Sequence, residues 1–591
     1  DTGSPEAFQR VGIELQWSPK LRRLALRPAL GHPLTPGRRY AALVTRRVTD
    51  LDGRSLEPMS TFAAVRDAKV VLTDTRLMQA RALYTPVFET LTKLGTPRED
   101  VVAIAVFRVQ TASSELDSAQ RIVRARAAPV PQALQAITGL DKALGAANAV
   151  ATTGNAAPHE HLQGMIHGTL PTPNFLSATA KSHGVWKRDG AQALELKRVE
   201  AVPFTLFVPK GDQPASLVLY QHQRGHDRSD AAFIADALAQ HNIAVFAIDG
   251  PFQGLRARSE STRGVDTRNR FTGANTPDNF GDEAGDFYGT QDDQGPLVAF
   301  HPFYLRDAMR QGVVDLMNVA RFLEDGDWSP ITELGGLGTR KYDRRRWGFI
   351  GEDIGAEMGV MLAPYEPNLG AMALVGASAF VAQGLWLNAG DQTLFSELSN
   401  LLGRNDEPSD YAKDLPAFWP ELALFETLLG RGEPLAYADG LRRAPVNAWL
   451  LMAREDEAVA NITTEALGVS LGAELLGVDA RYATTDLVTL EANSGDIVTS
   501  NFPIEIDHVT RAMSVYEPAD HRWLTTESGQ HRYEVPVEPP FRQRTELEAF
   551  PNPHDAVQAH LVEYFASYFD CVNAGPPTTL GMRCTASVTV P

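Results

Sequence analysis

The chain has 591 residues, too many for one hydrophobic core, so two or three domains are expected. Its composition is globular, 43% hydrophobic and 22% charged, and no run of about 18 apolar residues offers a membrane span. A formal charge of −18 argues against nucleic acid as a partner, since phosphates need a basic face, and it names no other partner.

Residues 1–67 read as β-structure. Arg39-Tyr-Ala-Ala-Leu-Val-Thr45 alternates like a strand, Asp50-Leu-Asp-Gly-Arg54 supplies a turn, and Thr61-Phe-Ala-Ala-Val65 suggests a further strand. The stretch "LTPGRRYAALVTRRVTDLDGRSLEP" resembles the immunoglobulin-like module that precedes many bacterial secreted hydrolases, with its first strands missing. That resemblance implies packing, spacing or contact with a protein partner as the module's role. Residues 68–158 form a connecting segment. Leu77, Ala80, Leu83, Val87 and Leu91 give 75–94 a helical period, 101–107 is a buried strand, 114–126 is helical, and the Gly/Ala-rich 139–158 is a linker.

The pattern changes from 159 onward. Strands at 205–209 and 216–220, a helix at 231–240 and a strand at 243–249 predict a parallel sheet. Gly250–Pro296 is a long polar excursion, expected over the sheet's C-terminal edge, where α/β proteins place their sites. Its acidic residues (Asp278, Asp282, Glu283, Asp286, Asp292 and Asp293) either hold calcium or face solvent; no EF-hand spacing is present, and no metal or cofactor is assigned. An amphipathic helix at 304–324 leads into the stretch Arg346-Trp-Gly-Phe-Ile-Gly-Glu-Asp-Ile-Gly-Ala-Glu-Met-Gly359. Here an apolar strand enters a Gly-x-Asp-x-Gly turn and leaves as a helix, the layout of a nucleophile elbow, with Asp353 thrust above the sheet. Strands at 371–375 and 446–453, a helical lid over about 378–442, and helices at 463–471 and 556–568 complete an α/β domain spanning 159–570. Cys571 and Cys584 either close a disulfide that pins the 571–591 tail or remain thiols; the disulfide favours an exported protein. No signal peptide opens the chain, and a processed or truncated start is expected.

A nucleophile after one strand, an acid after a later strand and a histidine near the end recur here in order: Asp353, Asp456 in Arg454-Glu-Asp-Glu-Ala-Val459, and His521 in Tyr516-Glu-Pro-Ala-Asp-His521. The acid would fix the imidazole tautomer and stabilise its cation. Taken singly, an Asp after a strand or a lone His is more often a surface or packing residue. The segments "VLYQHQRGHDRSDAAFIADALAQHNIAVFAIDGPFQGLR", "FIGEDIGAEMGVMLA", "AREDEAVAN" and "YEPADHRWL" resemble bacterial secreted esterases and lipases of the α/β-hydrolase fold.

This resemblance implies a Ser-Asp-His triad, an oxyanion hole, a small-molecule substrate and a secreted or cell-envelope location. It places His222, Gln223 and Ile354 at the oxyanion lip. Three positions depart from the family pattern: Asp353 replaces serine, Glu352 replaces histidine, and Gln223 replaces glycine after His222.

Carboxylate attack on an ester carbonyl yields an anhydride, an unfavourable exchange. Attack on a saturated carbon bearing halide or an epoxide oxygen yields an alkyl ester that activated water can cleave. Asp-elbow members of the fold, the haloalkane dehalogenases and epoxide hydrolases, resemble this turn, though Ile354 stands where they often carry tryptophan. Lid tyrosines Tyr411 and Tyr437 are candidate acids or packing residues, and Ser378 is a weak alternative nucleophile. Glu352 is expected beneath the elbow as a hydrogen-bonding or salt-bridge partner, with Arg344–Arg346 as candidates for the other half. His222, Arg224, His226 and Arg228 either neutralise Asp353 or are solvated loop residues. The competing reading is a non-catalytic relative serving as a binding or structural extracellular protein.

Overall fold

The computed structural model describes residues 9–18, 23–146, 156–177, 184–257, 266–280, 289–290, 299–381, 420–453, 456, 459–477, 487–490, 492–503, 508–516, 530–533, 548–551, 554–575 and 584–591. Two compact units emerge, one of residues 1–14 and 33–111, the other of 15–32 and 112–591.

The first unit pairs Arg39–Thr45 antiparallel with Val101–Arg108, Arg39 opposite Arg108. Thr75–Lys93 is the expected helix, and its Phe88 and Leu91 meet Val101, Leu43, Phe62 and Tyr84 in a small core. The Asp50 turn also forms as read: Asp50 Oδ1 accepts from the Asp52 and Arg54 N–H groups at 2.9 Å. The stretch 61–65, expected as a strand, lies instead in the helix Ser60–Arg66. A helical period buries Val65 and packs Phe62, three residues earlier, on the same small core, and this packing overrides the β preference of Thr61, Phe62 and Val65. The helix 75–93 and strand 101–108, read as part of a connecting segment, belong to this unit.

The second unit is built on an eleven-stranded sheet. In chain order its strands are β1 (Gln132–Ile137), β2 (Leu162–Asn174), β3 (Arg198–Pro209), β4 (Ala215–Gln221), β5 (Ile243–Ile248), β6 (Tyr342–Glu352), β7 (Leu369–Val375), β8 (Asn447–Ala453), β9 (Glu474–Leu476), β10 (Val488–Leu490) and β11 (Arg511–Tyr516). They lie in the order β10-β9-β11-β8-β7-β6-β4-β5-β3-β2-β1. From β10 to β5 every pairing is parallel, while β3, β2 and β1 close the far edge antiparallel.

The central strands are apolar on both faces because helices cover both. Leu217, Leu219, Trp347, Phe349, Met372, Leu374 and Leu450 face one core. It is shared with α1 (Ser114–Ala125), α3 (Pro302–Asp325) and α4 (Ile354–Leu362). Val218, Tyr220, Ile350, Ala373, Trp449 and Leu451 face the other, shared with α2 (Ala232–Ala239) and α6 (His554–Ala574). The helix at 463–471 forms as α5 (Asn461–Leu471). Of the expected lid, residues 378–381 and 420–442 are described, helical over Pro420–Leu429 and Ala438–Arg443. Cys571 and Cys584 are joined as a disulfide, and beyond it Val588–Thr589 pairs antiparallel with Ile497–Val498. This mostly parallel sheet, wrapped by helices and carrying a strand–elbow–helix turn at its middle, is the α/β-hydrolase fold, preceded by a small antiparallel module.

Candidate active site

The elbow lies where it was expected, between β6 and α4. Asp353 adopts φ 47°, ψ −117°, a backbone conformation that side chains with a Cβ avoid, and it is buried. Its N–H donates to Val375 O at 2.9 Å, and its carbonyl accepts from the Glu357 N–H at 3.0 Å, opening the helix. The small residues are required by close approach. A Cβ on Gly351 would stand 2.6 Å from Ala356 N, and one on Gly355 would press into the Gln221 and His222 carbonyl oxygens. Bulk at either position would drive α4 off the sheet, so Asp353 is aimed by the fold itself.

The strands that frame the elbow end level with it. Glu352 pairs with Val375, Val375 with Leu451, and Ala453 with Tyr516. Two strand spacings of about 4.8 Å separate the end of β6 from that of β8, so the loop after β8 starts about 10 Å away. Asp456 stands in that loop, half-buried, with Oδ1 accepting from the Val459 N–H at 2.8 Å. The chain carrying His521 leaves β11 at Tyr516 on the same edge; His521 itself lies outside the described residues, as does Tyr411. Asp353 and Asp456 therefore sit at the same edge of the sheet, on the loops expected.

On the other flank the loop after β4 meets the elbow. The Arg224 N–H donates to Asp353 Oδ2 at 3.4 Å, and its Nε stands 4.0 Å from the same oxygen. Arg224 thus supplies the cation facing Asp353. The remaining lip residues do other work. His222 is fully buried; its Nδ1–H donates to Gln223 O at 2.8 Å and its Nε2 accepts from the Gly250 N–H at 2.8 Å. Both ring nitrogens are used, and burial pulls its pKa down despite the Asp249 carboxylate, so His222 is a neutral tie between the β4 and β5 loops.

Arg228 is buried and bound to Asp249 at 2.5 Å and Thr205 at 3.1 Å, away from Asp353. His226 Nδ1 lies 2.9 Å from Asp230 Oδ2; burial opposes its charge, yet the Asp230 carboxylate outweighs it and raises its pKa. Gln223 and Ile354 are buried beside the turn, and Gln223 Nε2 has no hydrogen-bond partner among the described residues.

Three further expectations are corrected or resolved. Glu352 lies beneath the elbow as read, but its partner is Tyr220, whose hydroxyl donates to Oε2 at 2.6 Å. The arginines serve elsewhere: Arg344 on Gly326 O, Arg345 on Asp343, Arg346 on Pro367 O. Tyr437 is a core residue, its hydroxyl 2.8 Å from Arg431 O and 3.2 Å from Ala112 O. Ser378 is closed in a turn, donating to Phe380 O at 2.9 Å and accepting from Phe380 N–H at 3.1 Å, so it is not the nucleophile. Asp278 accepts from the Arg270 and Phe280 N–H groups and stiffens its own loop; the other five acidic residues of that run lie outside the described residues.

Sequence reasoning missed Glu357. One helical turn past Asp353 on α4, it is buried, and its Oε2 has no hydrogen-bond partner among the described residues. Burial first, then the Asp353 and Glu433 carboxylates, hold its pKa well above the usual carboxylate range, against the Arg224 cation and the Ser378 N–H. The signal was present in the sequence: a glutamate four residues after the elbow acid, in a helix whose other faces are all apolar or glycine.

No family model matches the sequence, and no curated protein does. Among solved structures the chain is similar to acetyl xylan esterase 1 from Thermoanaerobacterium sp. JW/SL YS485, at 11% identity over 69% of this chain and 88% of that one, with TM-score 0.31. Acetyl xylan esterase from Paenibacillus sp. R4 gives 13% identity, 69% and 89% coverage and TM-score 0.32. A putative dienelactone hydrolase from Klebsiella pneumoniae subsp. pneumoniae MGH 78578 gives 13%, 60% and 87%, with TM-score 0.26. Likeness at this level carries no argument about chemistry, which rests on the elbow and its neighbours.

Proposed function

We propose that the protein is an exported hydrolase that cleaves a small apolar substrate through an alkyl ester on Asp353. One observation carries this reading: a carboxylate is held in a strained elbow, buried, and opposed by a backbone N–H and a guanidinium from Arg224. Such strain persists where surrounding structure over-determines it, and here it aims an acceptor oxygen along the face where the fold's nucleophile attacks. Asp353 attacks a saturated carbon, the carbon–halogen or carbon–oxygen bond breaks, and the resulting ester is cleaved by a water that His521 deprotonates. Asp456 orients His521 and stabilises its cation. Gln223 Nε2 and the Ile354 backbone N–H face developing negative charge.

The Cys571–Cys584 disulfide supports the exported location. The N-terminal module, immunoglobulin-like in its sequence, serves as a spacer or contact for a protein partner. The alternative of a non-catalytic binding protein fits the loss of serine and the Arg224 cation beside Asp353, but it leaves the strained turn without a role. The test is single-turnover trapping: native protein incubated with styrene oxide and with 1-iodobutane, followed by mass mapping. An alkyl adduct on Asp353 that is absent in Asp353→Asn supports the reading; no adduct with either probe refutes it.

A further inference from the structure

The chemistry just proposed leaves one need unmet. When a carboxylate opens an epoxide, the departing oxygen becomes an alkoxide and must receive a proton, whereas a departing halide needs none. Tyr437, the described lid tyrosine, is turned into the core and bonded to main-chain carbonyls. We propose that Glu357, one helical turn beyond Asp353, is the acid that protonates the leaving oxygen, so that the substrate class is the epoxides. The inference rests on Asp353 being the nucleophile.

Position comes first. The Glu357 N–H donates to the Asp353 carbonyl at 3.0 Å, which sets Glu357 in the first turn of the helix that the elbow opens. It is 3% exposed, and Oε2 lacks a hydrogen-bond partner among the described residues, leaving that oxygen available to a third group. Its charged surroundings come from three elements. Asp353 belongs to the elbow, Glu433 to the segment preceding 434–437, and Arg224 to the loop after β4; the Ser378 N–H adds a fourth contact, from the loop after β7. Burial and two carboxylates outweigh one cation and one N–H, so the protonated form of this carboxyl is favoured more than in an ordinary glutamate.

Glu433 is itself held by the Val381 N–H on Oε2 at 2.6 Å, which ties the two ends of the lid segment beside Glu357. The steps balance. Asp353 forms a C–O bond as the ring C–O bond breaks; the Glu357 proton passes to the ring oxygen, giving an alcohol and a Glu357 carboxylate. Water, deprotonated by His521, cleaves the ester to a diol and free Asp353, and the proton returns to Glu357. The sum is epoxide plus water giving diol.

The experiment compares alkylation of Asp353 by styrene oxide and by 1-iodobutane in native protein, Glu357→Gln, Glu357→Asp and Asp353→Asn, by quenched-flow mass spectrometry. Glu357→Gln is expected to slow the epoxide at least about 100-fold more than the iodide, with Glu357→Asp recovering part of that loss. Equal effects on both probes, or none on the epoxide, overturn the acid role while leaving the nucleophile in place. Adducts from the iodide alone in native protein do the same. No adduct from either probe, or adducts that persist in Asp353→Asn, overturn the nucleophile and the acid together. Native protein alone supplies a check independent of variant folding. The epoxide-to-iodide rate ratio should fall as pH rises and Glu357 ionises, and a flat ratio overturns the proposal.

Discussion

Replacing Asp353 by glycine and by alanine separates the geometry of the elbow from its charge. Both variants remove the carboxylate, its 3.4 Å contact with the Arg224 N–H and its repulsion of Glu357, so those terms cancel in their difference. What differs is the Cβ. At φ 47°, ψ −117° alanine retains the steric cost that aspartate bears, and glycine does not. A left-handed conformation costs a residue with a Cβ about 1–2 kcal/mol, and glycine returns about 0.5–1 kcal/mol through greater freedom in the unfolded chain. Asp353→Gly should therefore be the more stable of the two by about 1 kcal/mol. The larger unit holds about 500 residues, and an unfolding entropy of about 2.1 cal/mol/K per residue turns this difference into about 1 °C. Differential scanning calorimetry of the full chain, at one protein concentration and scan rate, reads it directly. A glycine variant that melts with or below the alanine variant would refute the claim that the elbow is strained, and with it the argument that the turn is kept for chemistry.

Other outcomes follow from the same structure. Gly355→Ala should destabilise the larger unit by about 1–3 kcal/mol or more, because its Cβ meets two backbone carbonyls that cannot move aside; chemical denaturation measures it. Glu115 is held down to about 2; burial opposes this, but the Arg310 and Arg431 guanidiniums outweigh it. Its folded pKa lies below its ordinary value of 4.5, so the stability it adds is complete above about pH 4.5 and is lost towards pH 2, a slope that Glu115→Gln should flatten. Burial likewise drops His167 from 6.5 to about 3, helped by Arg228, so a second acid-labile contribution vanishes across that window. His167→Gln, followed by unfolding midpoint against pH, should remove it. Cys571→Ser should lower stability by about 2–3 kcal/mol, the value for a loop of this size, and free the terminal strand to proteolysis.

The framework was readable because it obeys two periods. Strand stretches such as 217–220 and 448–453 are apolar without a break, the mark of burial on both faces, and the elbow announces itself through its closely spaced glycines. The misreadings have physical causes. Thr61–Val65 holds a β-branched residue at each end and a phenylalanine, yet a helix packs Phe62 on the small core and buries Val65, where an extended chain would turn them to opposite faces. The antiparallel strand β2 has no clear strand pattern because prolines and glycines interrupt Leu162–Asn174, and its pairing emerges only with its partner Arg198–Pro209 beside it. For His222 the resemblance implies a place at the oxyanion lip, and for Arg228 the sequence leaves neutralising Asp353 or solvation open. Their bonds to Gly250, Gln223, Asp249 and Thr205 depend on β5 and β3, which local spacing cannot reveal.

Glu357 was overlooked for the opposite reason. A glutamate near the start of a helix is favoured by the exposed N–H groups there, so it reads as ordinary capping chemistry. The fold reverses that expectation by sealing the first turns of α4 against β4 and β7, where water cannot screen the charge and two other carboxylates already stand. Elbow geometry is shared by every enzyme built this way and says little about the reaction. The charge balance around it is particular to this chain. A lone carboxylate nucleophile needs only a cation, which Arg224 supplies; a second carboxyl is buried four residues on, where burial and the neighbouring carboxylates favour its protonated form. Its presence is explained if a proton must be delivered beside Asp353 when a carbon–oxygen bond breaks.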